Sequence, residues 1–139
     1  MSLECAVPLG TYDAVTLGHG GGGRLMQRLL EEIVLPELGN DSRADLGDSS
    51  VVPWPAGRLA LTTDSYVVTP PFFPGGDIGT LAVHGTINDL AMAGARPRFL
   101  SLGLILEEGF PLADLRRVLR SIRAAADPLD LRVVTGDTK

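Results

Sequence analysis

Three aspartates, Asp64, Asp77 and Asp89, fall within residues 61–97 (LTTDSYVVTPPFFPGGDIGTLAVHGTINDLAMAGARP), a stretch that is otherwise mostly apolar. A carboxylate among apolar neighbours is costly to desolvate unless a cation or hydrogen-bond donors meet it. Magnesium carried by a nucleotide is a cation that fits such a set. A second stretch with chemical potential is Gly18-His19-Gly20-Gly21-Gly22-Gly23-Arg24. Its glycines allow close approach of backbone to a ligand, and a glycine loop running into a helix presents N–H groups to phosphate. The run matches neither GxGxxG nor GxxxxGK[ST], so a flexible linker stays open as an alternative. His84 and Asn88 are i,i+4 neighbours, with Asp89 one step around; a hydrogen-bonded, half-buried histidine is the simpler reading of His84.

These residues need elements to position them. Residues 15–17 are a short strand candidate. Residues 24–35 carry Leu25, Leu29 and Ile33 at helical spacing, and the stretch 36–48 reads as loop with Asp45 and Asp48 at its end. Residues 49–52 and 59–63 look like strands joined by a turn through Pro53, Pro55 and Gly57. Paired antiparallel, they would bring Asp48 and Asp64 toward one end. Asp77 suits a helix N-cap, Gly94 a C′ glycine, and Pro97 follows. The intervening helix is apolar nearly all round, which predicts extensive burial. Residues 98–106 form an apolar strand. Pro111 sits at N1 of a further helix, whose stripe of Leu112, Leu115, Val118, Leu119, Ile122 and Ala126 opposes Arg116, Arg117, Arg120 and Arg123. A solvated face explains those arginines better than an anion site does. A strand at 131–135 leads into Gly136-Asp137-Thr138-Lys139. Because sites are built on loops after strands, the chain reads as cut there. The order implies an α+β fold, a mixed β-sheet covered by helices on one face, with strands apolar enough to call for a partner sheet and hence a homodimer.

The bulk properties bound the function classes. At 139 residues, 45% apolar and 21% charged, the chain is a single ordered domain by size and composition. A net charge of −5 gives no field for nucleic acid or an anionic membrane. One cysteine, Cys5, excludes an internal disulfide framework and a multi-cysteine metal site. No apolar run is long enough to span a bilayer, and the expected location is cytoplasmic.

The motifs HGGGGR (19–24), TTDSYVV (62–68), FFPGGDIGTLAVHGTINDLAMAGARP (72–97), LEEGF (106–110) and VTGDTK (134–139) closely resemble the HypE family of hydrogenase-maturation proteins. That family lies within the aminoimidazole-ribonucleotide-synthetase-like superfamily, beside thiamine-monophosphate kinase and selenophosphate synthetase. The resemblance implies a PurM-like N-terminal ATP-binding and dimerisation domain over residues 1–139, without the C-terminal domain, in which two sheets pair into a barrel across a homodimer. It implies ATP and Mg²⁺ as cofactors. The implied reaction is ATP-dependent dehydration of a carbamoyl group on a C-terminal cysteine thiol to thiocyanate, for the cyanide ligand of [NiFe]-hydrogenase. HypF-like carbamoyltransferase and HypC- and HypD-like maturation proteins are the implied partners.

By motif position, Asp48, Asp64, Asp89 and Asp137 match the metal–phosphate carboxylates. Asn88 and Thr138 assist at the nucleotide, Gly20, Gly21, Gly22 and Gly23 fold over the triphosphate, and Lys139, with Asp89, stands at the reacting group. Thr80 and His84 depart from the family pattern, where a basic residue and a cysteine are expected, and Cys5 does not match the acceptor cysteine. Two other readings stand beside this one. One is a dimerisation or scaffold module without turnover; the other is a kinase-like or selenophosphate-synthetase-like relative of the same superfamily.

Overall fold

Asp77 shows how local chemistry sets this architecture. In the computed structural model, which describes residues 12–39, 49–54 and 56–139, its carboxylate Oδ1 accepts the Thr80 amide at 2.9 Å. The Thr80 hydroxyl in turn accepts the Asp77 amide at 3.0 Å, a capping box with threonine in the returning position. This cap opens helix α3 (Ile78–Met92), which ends at Ala93 and turns through Gly94 at φ 67, as the terminal signals predict. Two short strands, β1 (Phe72–Phe73) and β2 (Gly76–Asp77), form an antiparallel ribbon that delivers the chain to the cap.

Helix α4 (Leu112–Ala126) buries Leu115, Val118, Leu119, Ile122, Ala125 and Ala126, the apolar stripe read from the sequence. Pro111 is its N-cap residue rather than N1. Gly79 lets α3 and α4 approach closely: a Cβ there would lie 2.5 Å from the Val118 carbonyl oxygen. Ser121 of α4 donates to the second Asp77 oxygen at 2.5 Å. Asp77, one of the three aspartates of this stretch and the N-cap read from the sequence, is therefore satisfied by a cap and an interhelical hydrogen bond.

The first helical segment runs from α1 (Arg24–Leu29) through a π turn (Leu30–Val34) into α2 (Leu35–Leu38), stopping at Gly39 with φ 73. It passes the Leu35 boundary expected from sequence and continues through Pro36. That proline has no N–H to offer the Glu32 carbonyl, and Arg116 Nη2 donates to it instead, at 3.1 Å.

Strands β3 (Phe99–Leu104) and β4 (Arg132–Thr138) pair in parallel, with a register irregularity between Leu100 and Ser101. The connection through α4 is a β-α-β unit. Leu100, Leu102 and Leu104 pack toward the helical core, while Ser101 and Gly103 are exposed on the other face. Helices thus cover one side of β3–β4, as expected, but among the described residues the single mixed sheet is replaced by two separate two-stranded sheets, one antiparallel and one parallel, because residues 49–54 and 56–63 add no strand to join them.

Four further expectations are corrected. The hairpin of residues 49–52 and 59–63 does not form: the described residues of this stretch have no strand pairing. Val51 is 96% and Leu61 84% exposed; a two-stranded hairpin without an apolar face to bury is marginal. Helix α3 is less buried than its composition implies, with only Gly79 and Val83 fully buried, because α4 packs against one side and the others lack a close neighbour among the described elements. His84 is exposed rather than half-buried. The strand expected at 131–135 extends to Thr138, so Asp137 stands within β4. No described helix is long and apolar enough to cross a membrane.

Candidate functional site

The sequence-predicted residues assemble into two neighbourhoods. The first surrounds Tyr66. Its hydroxyl donates to Asp64 Oδ2 at 2.9 Å, and the Thr62 hydroxyl donates to Asp89 Oδ2 at 3.1 Å. Tyr66 lies over Gly85 of α3, where any Cβ would collide with the phenol oxygen. Burial, above all, pushes the Tyr66 phenol above its ordinary range; a hydrogen bond with Thr86 opposes this, and the hydrogen bond and charge of Asp64 and the charge of Asp89 add to it. A loop carboxylate and a helix carboxylate are thus set about one phenol. Asn88 is exposed on the adjacent helical position.

The second neighbourhood joins the glycine run to the end of β4. Leu17–Gly21 form a 3-10 turn, and Gly22 then adopts φ 67, which a side chain would disfavour. Nothing crowds Gly20, Gly21, Gly22 or Gly23 on the side a Cβ would occupy, so their backbone is open to approach. Backbone bonds hold this turn in place: Val15 donates to Phe110 and Gly109 donates back to Val15, both at 2.8 Å. Glu108 Oε1 accepts the Leu17 amide at 3.2 Å. Leu106 and Lys139 exchange with the end of β3 through Leu106 N to Lys139 O and Lys139 N to Leu104 O, each 2.8 Å. Together these segments line a cavity of about 110 Å³ to which His19, Gly20, Thr138 and Lys139 all contribute.

Asp137 Oδ1 accepts both Lys139 Nζ at 3.0 Å and the Thr138 amide at 2.9 Å. The lysine hydrogen bond, first, and its charge hold the Asp137 carboxyl below the usual range. Strand pairing sets Gly136 against Leu102, leaving no room for a Cβ, so the β4 glycine is needed to bring Asp137 to this place.

The Tyr66 group contributes no residue to that cavity. Among the described residues, no three metal-capable side chains stand together. Asp48 and Asp45 lie outside the described residues. The arginines of α4 are engaged: Arg116 and Arg120 hold Glu37, Arg117 covers the Phe72 ring at 3.9 Å and Arg123 pairs with Asp127. The sequence reading took these arginines as a solvated face, and Arg120 and Arg123 do keep side chains 66% and 48% exposed while making these contacts. Sequence reasoning missed Tyr66, Glu108 and His19. Each lay inside a motif already singled out, two residues after Asp64, within LEEGF and at the head of the glycine run, but burial and partners gave them their roles.

Residues 46–139 match the N-terminal domain of AIR synthase related protein. A carbamoyl dehydratase HypE from Azotobacter vinelandii is 56% identical over 126 residues, covering 91% of this chain and 37% of that protein. The crystal structure of a hydrogenase maturation protein HypE in complex with ATP superposes with a TM-score of 0.83 at 51% identity, over 89% of this chain and 37% of that one. A HypE–HypF complex contains a chain matching at 54% identity and TM-score 0.53, over 55% of this chain and 25% of that chain. The chain spans just over a third of the length of the curated relatives it matches.

Proposed function

The chain belongs to the AIR synthase related family through its N-terminal domain, among the HypE proteins, and from that premise we propose that it supplies the ATP-binding part of a carbamoyl dehydratase for hydrogenase maturation. The observation that carries the reading is the cavity between Gly20 and the Thr138–Lys139 end of β4. Its lining brings Gly20 together with Thr138 and Lys139, residue types suited to a phosphate chain. Likeness to a HypE solved with ATP supports the same assignment.

In this reading Gly20, Gly21, Gly22 and Gly23 receive phosphate oxygens on backbone N–H groups, and Thr138 adds a hydroxyl. Lys139 exchanges its contact with Asp137 for the reacting phosphate or carbamoyl oxygen. Asn88 faces the nucleotide. Magnesium takes one or two carboxylates and completes its shell with phosphate and water; Asp64 and Asp89, both beside Tyr66, are the residues that would hold it, with Asp137 and Asp48 as the further candidates. When bound, the ion supplies charge neutralisation for phosphoryl transfer. Transfer of the γ-phosphoryl group to the carbamoyl oxygen, followed by loss of phosphate and two N–H protons, leaves S–C≡N on the acceptor cysteine. That cysteine belongs to the remainder of a HypE-like protein.

The exposed Val51, Leu61, Val67, Met92 and Ile105 support pairing with a second copy, since large exposed apolar groups mark interaction surfaces. HypF-like, HypC-like and HypD-like proteins are the proposed partners, the first supported by the HypE–HypF complex.

Isothermal titration with ATP, with and without Mg²⁺, tests the reading. Magnesium-dependent binding is expected, weakened at least about tenfold by Asp64→Asn, in line with losing a charged ligand, and left intact by Asp114→Asn on α4. Equal effects of the two substitutions would overturn the metal–nucleotide assignment. No binding to a folded dimer would favour the scaffold alternative.

A further inference from the structure

His19 is only 5% exposed, and it lines both the cavity described above and a larger one of about 360 Å³ behind the glycine turn. Its Nδ1 stands 3.0 Å from the Thr16 amide nitrogen and 2.9 Å from the Thr16 hydroxyl. The His19 amide returns a bond to the Thr16 carbonyl at 2.9 Å. The Tyr12 ring meets the imidazole edge-on, with centroids 5.6 Å apart and planes at 81°. This is a reciprocal closure of the Leu17–Gly21 turn, with histidine where a capping box uses Glu or Gln.

A backbone N–H only donates, so Nδ1 must be the lone-pair nitrogen and the ring proton must reside on Nε2. We infer that His19 is the positioning residue of the glycine run, accepting the Thr16 amide through unprotonated Nδ1 and holding the turn open toward Thr138 and Lys139. The inference rests on the nucleotide assignment for its purpose, though not for its geometry. Gly20 to Gly23 have no side chains with which to fix themselves, and each free glycine loses more conformational entropy on ordering than any other residue. An anchor at the start of the run restricts the loop before ligand arrives, which favours binding. Glu108, bonded to the Leu17 amide, braces the same turn from the other side.

Three variants of the full chain separate an acceptor role from mere filling. His19→Leu keeps bulk and removes the acceptor; His19→Asn retains an acceptor, Oδ1, at the position of Nδ1; His19→Gln places its oxygen farther out. Amide hydrogen exchange over residues 16–23 is expected to quicken roughly tenfold in His19→Leu, the scale of losing one hydrogen bond to a buried group, with recovery in His19→Asn and less in His19→Gln. ATP affinity is expected to fall and recover in the same order. Unchanged exchange in His19→Leu, or an Asn variant no better than Leu, would overturn the inference. Should the parent bind no ATP, the nucleotide assignment fails while the exchange order still decides the role of His19. Should the variants fail to fold, the ring nitrogen NMR signature of the parent decides: a proton on Nδ1 refutes the inference and a proton on Nε2 sustains it.

Discussion

Replacing Gly79 by alanine sets two effects of known size against each other. Alanine is favoured over glycine inside a helix by about 1 kcal/mol, so an exposed site would gain stability. At Gly79 the added methyl would lie 2.5 Å from the Val118 carbonyl oxygen, 3.1 Å from Asp77 Oδ1 and 3.2 Å from Ile122 Cγ1. The first contact is roughly 1 Å inside comfortable separation, and it is made with the backbone of α4, which cannot rotate aside. Relief requires α4 to shift, and that loosens the Ser121–Asp77 bond as well. Overpacking of this kind costs about 1–3 kcal/mol, and this contact belongs at the upper end. The helix gain offsets only part, leaving a net loss of about 2 kcal/mol. For a chain of this size that lowers the melting temperature by about 7 °C, measured by circular dichroism or calorimetry. Gly85→Ala is the control, because it meets the Tyr66 phenol, a side chain that swings away at smaller cost. A Gly79→Ala protein melting at or above the parent would refute the close α3–α4 packing from which the loss is calculated.

Two further outcomes follow from the same coordinates. Glu37 accepts Arg120 Nε at 2.7 Å and Nη2 at 2.9 Å, with Arg116 Nη1 at 3.3 Å; Glu37→Gln should cost about 1 kcal/mol in urea unfolding at neutral pH. The Arg120 hydrogen bond, first, and then Arg116 hold the Glu37 carboxyl below its ordinary value against the opposing effect of burial. Its contribution is therefore complete above the ordinary carboxylate range and fades as pH falls through the depressed folded value, so parent and variant should converge in acid; a gap that widens there would contradict the sign. Val67→Glu charges a side chain that is 96% exposed. Light scattering should find the parent as a dimer and the variant as a folded monomer, and equal masses for the two would remove the proposed pairing surface.

The sequence by itself determined much of this protein. The cap at Asp77, the stop at Gly94, the apolar stripe of α4 and the strand from residue 99 are written in local chemistry, because capping, φ preference and helical spacing act over a few residues. The motif-level likeness to HypE was legible for the same reason: the glycine run, TTDSYVV and GDTK are short and contiguous. Only tertiary structure decided what the motifs do to one another. It gave Asp77 its interhelical bond with Ser121, gave Glu37 to arginines that had looked merely solvated, and brought Gly20 and Lys139 to one cavity. It also left residues 49–54 and 56–63 without strand pairing where their composition reads as strands. Those outcomes depend on burial and on partners distant along the chain, such as Leu17 with Glu108. A strand pattern records an apolar face, but whether that face finds a partner is settled by what packs against it.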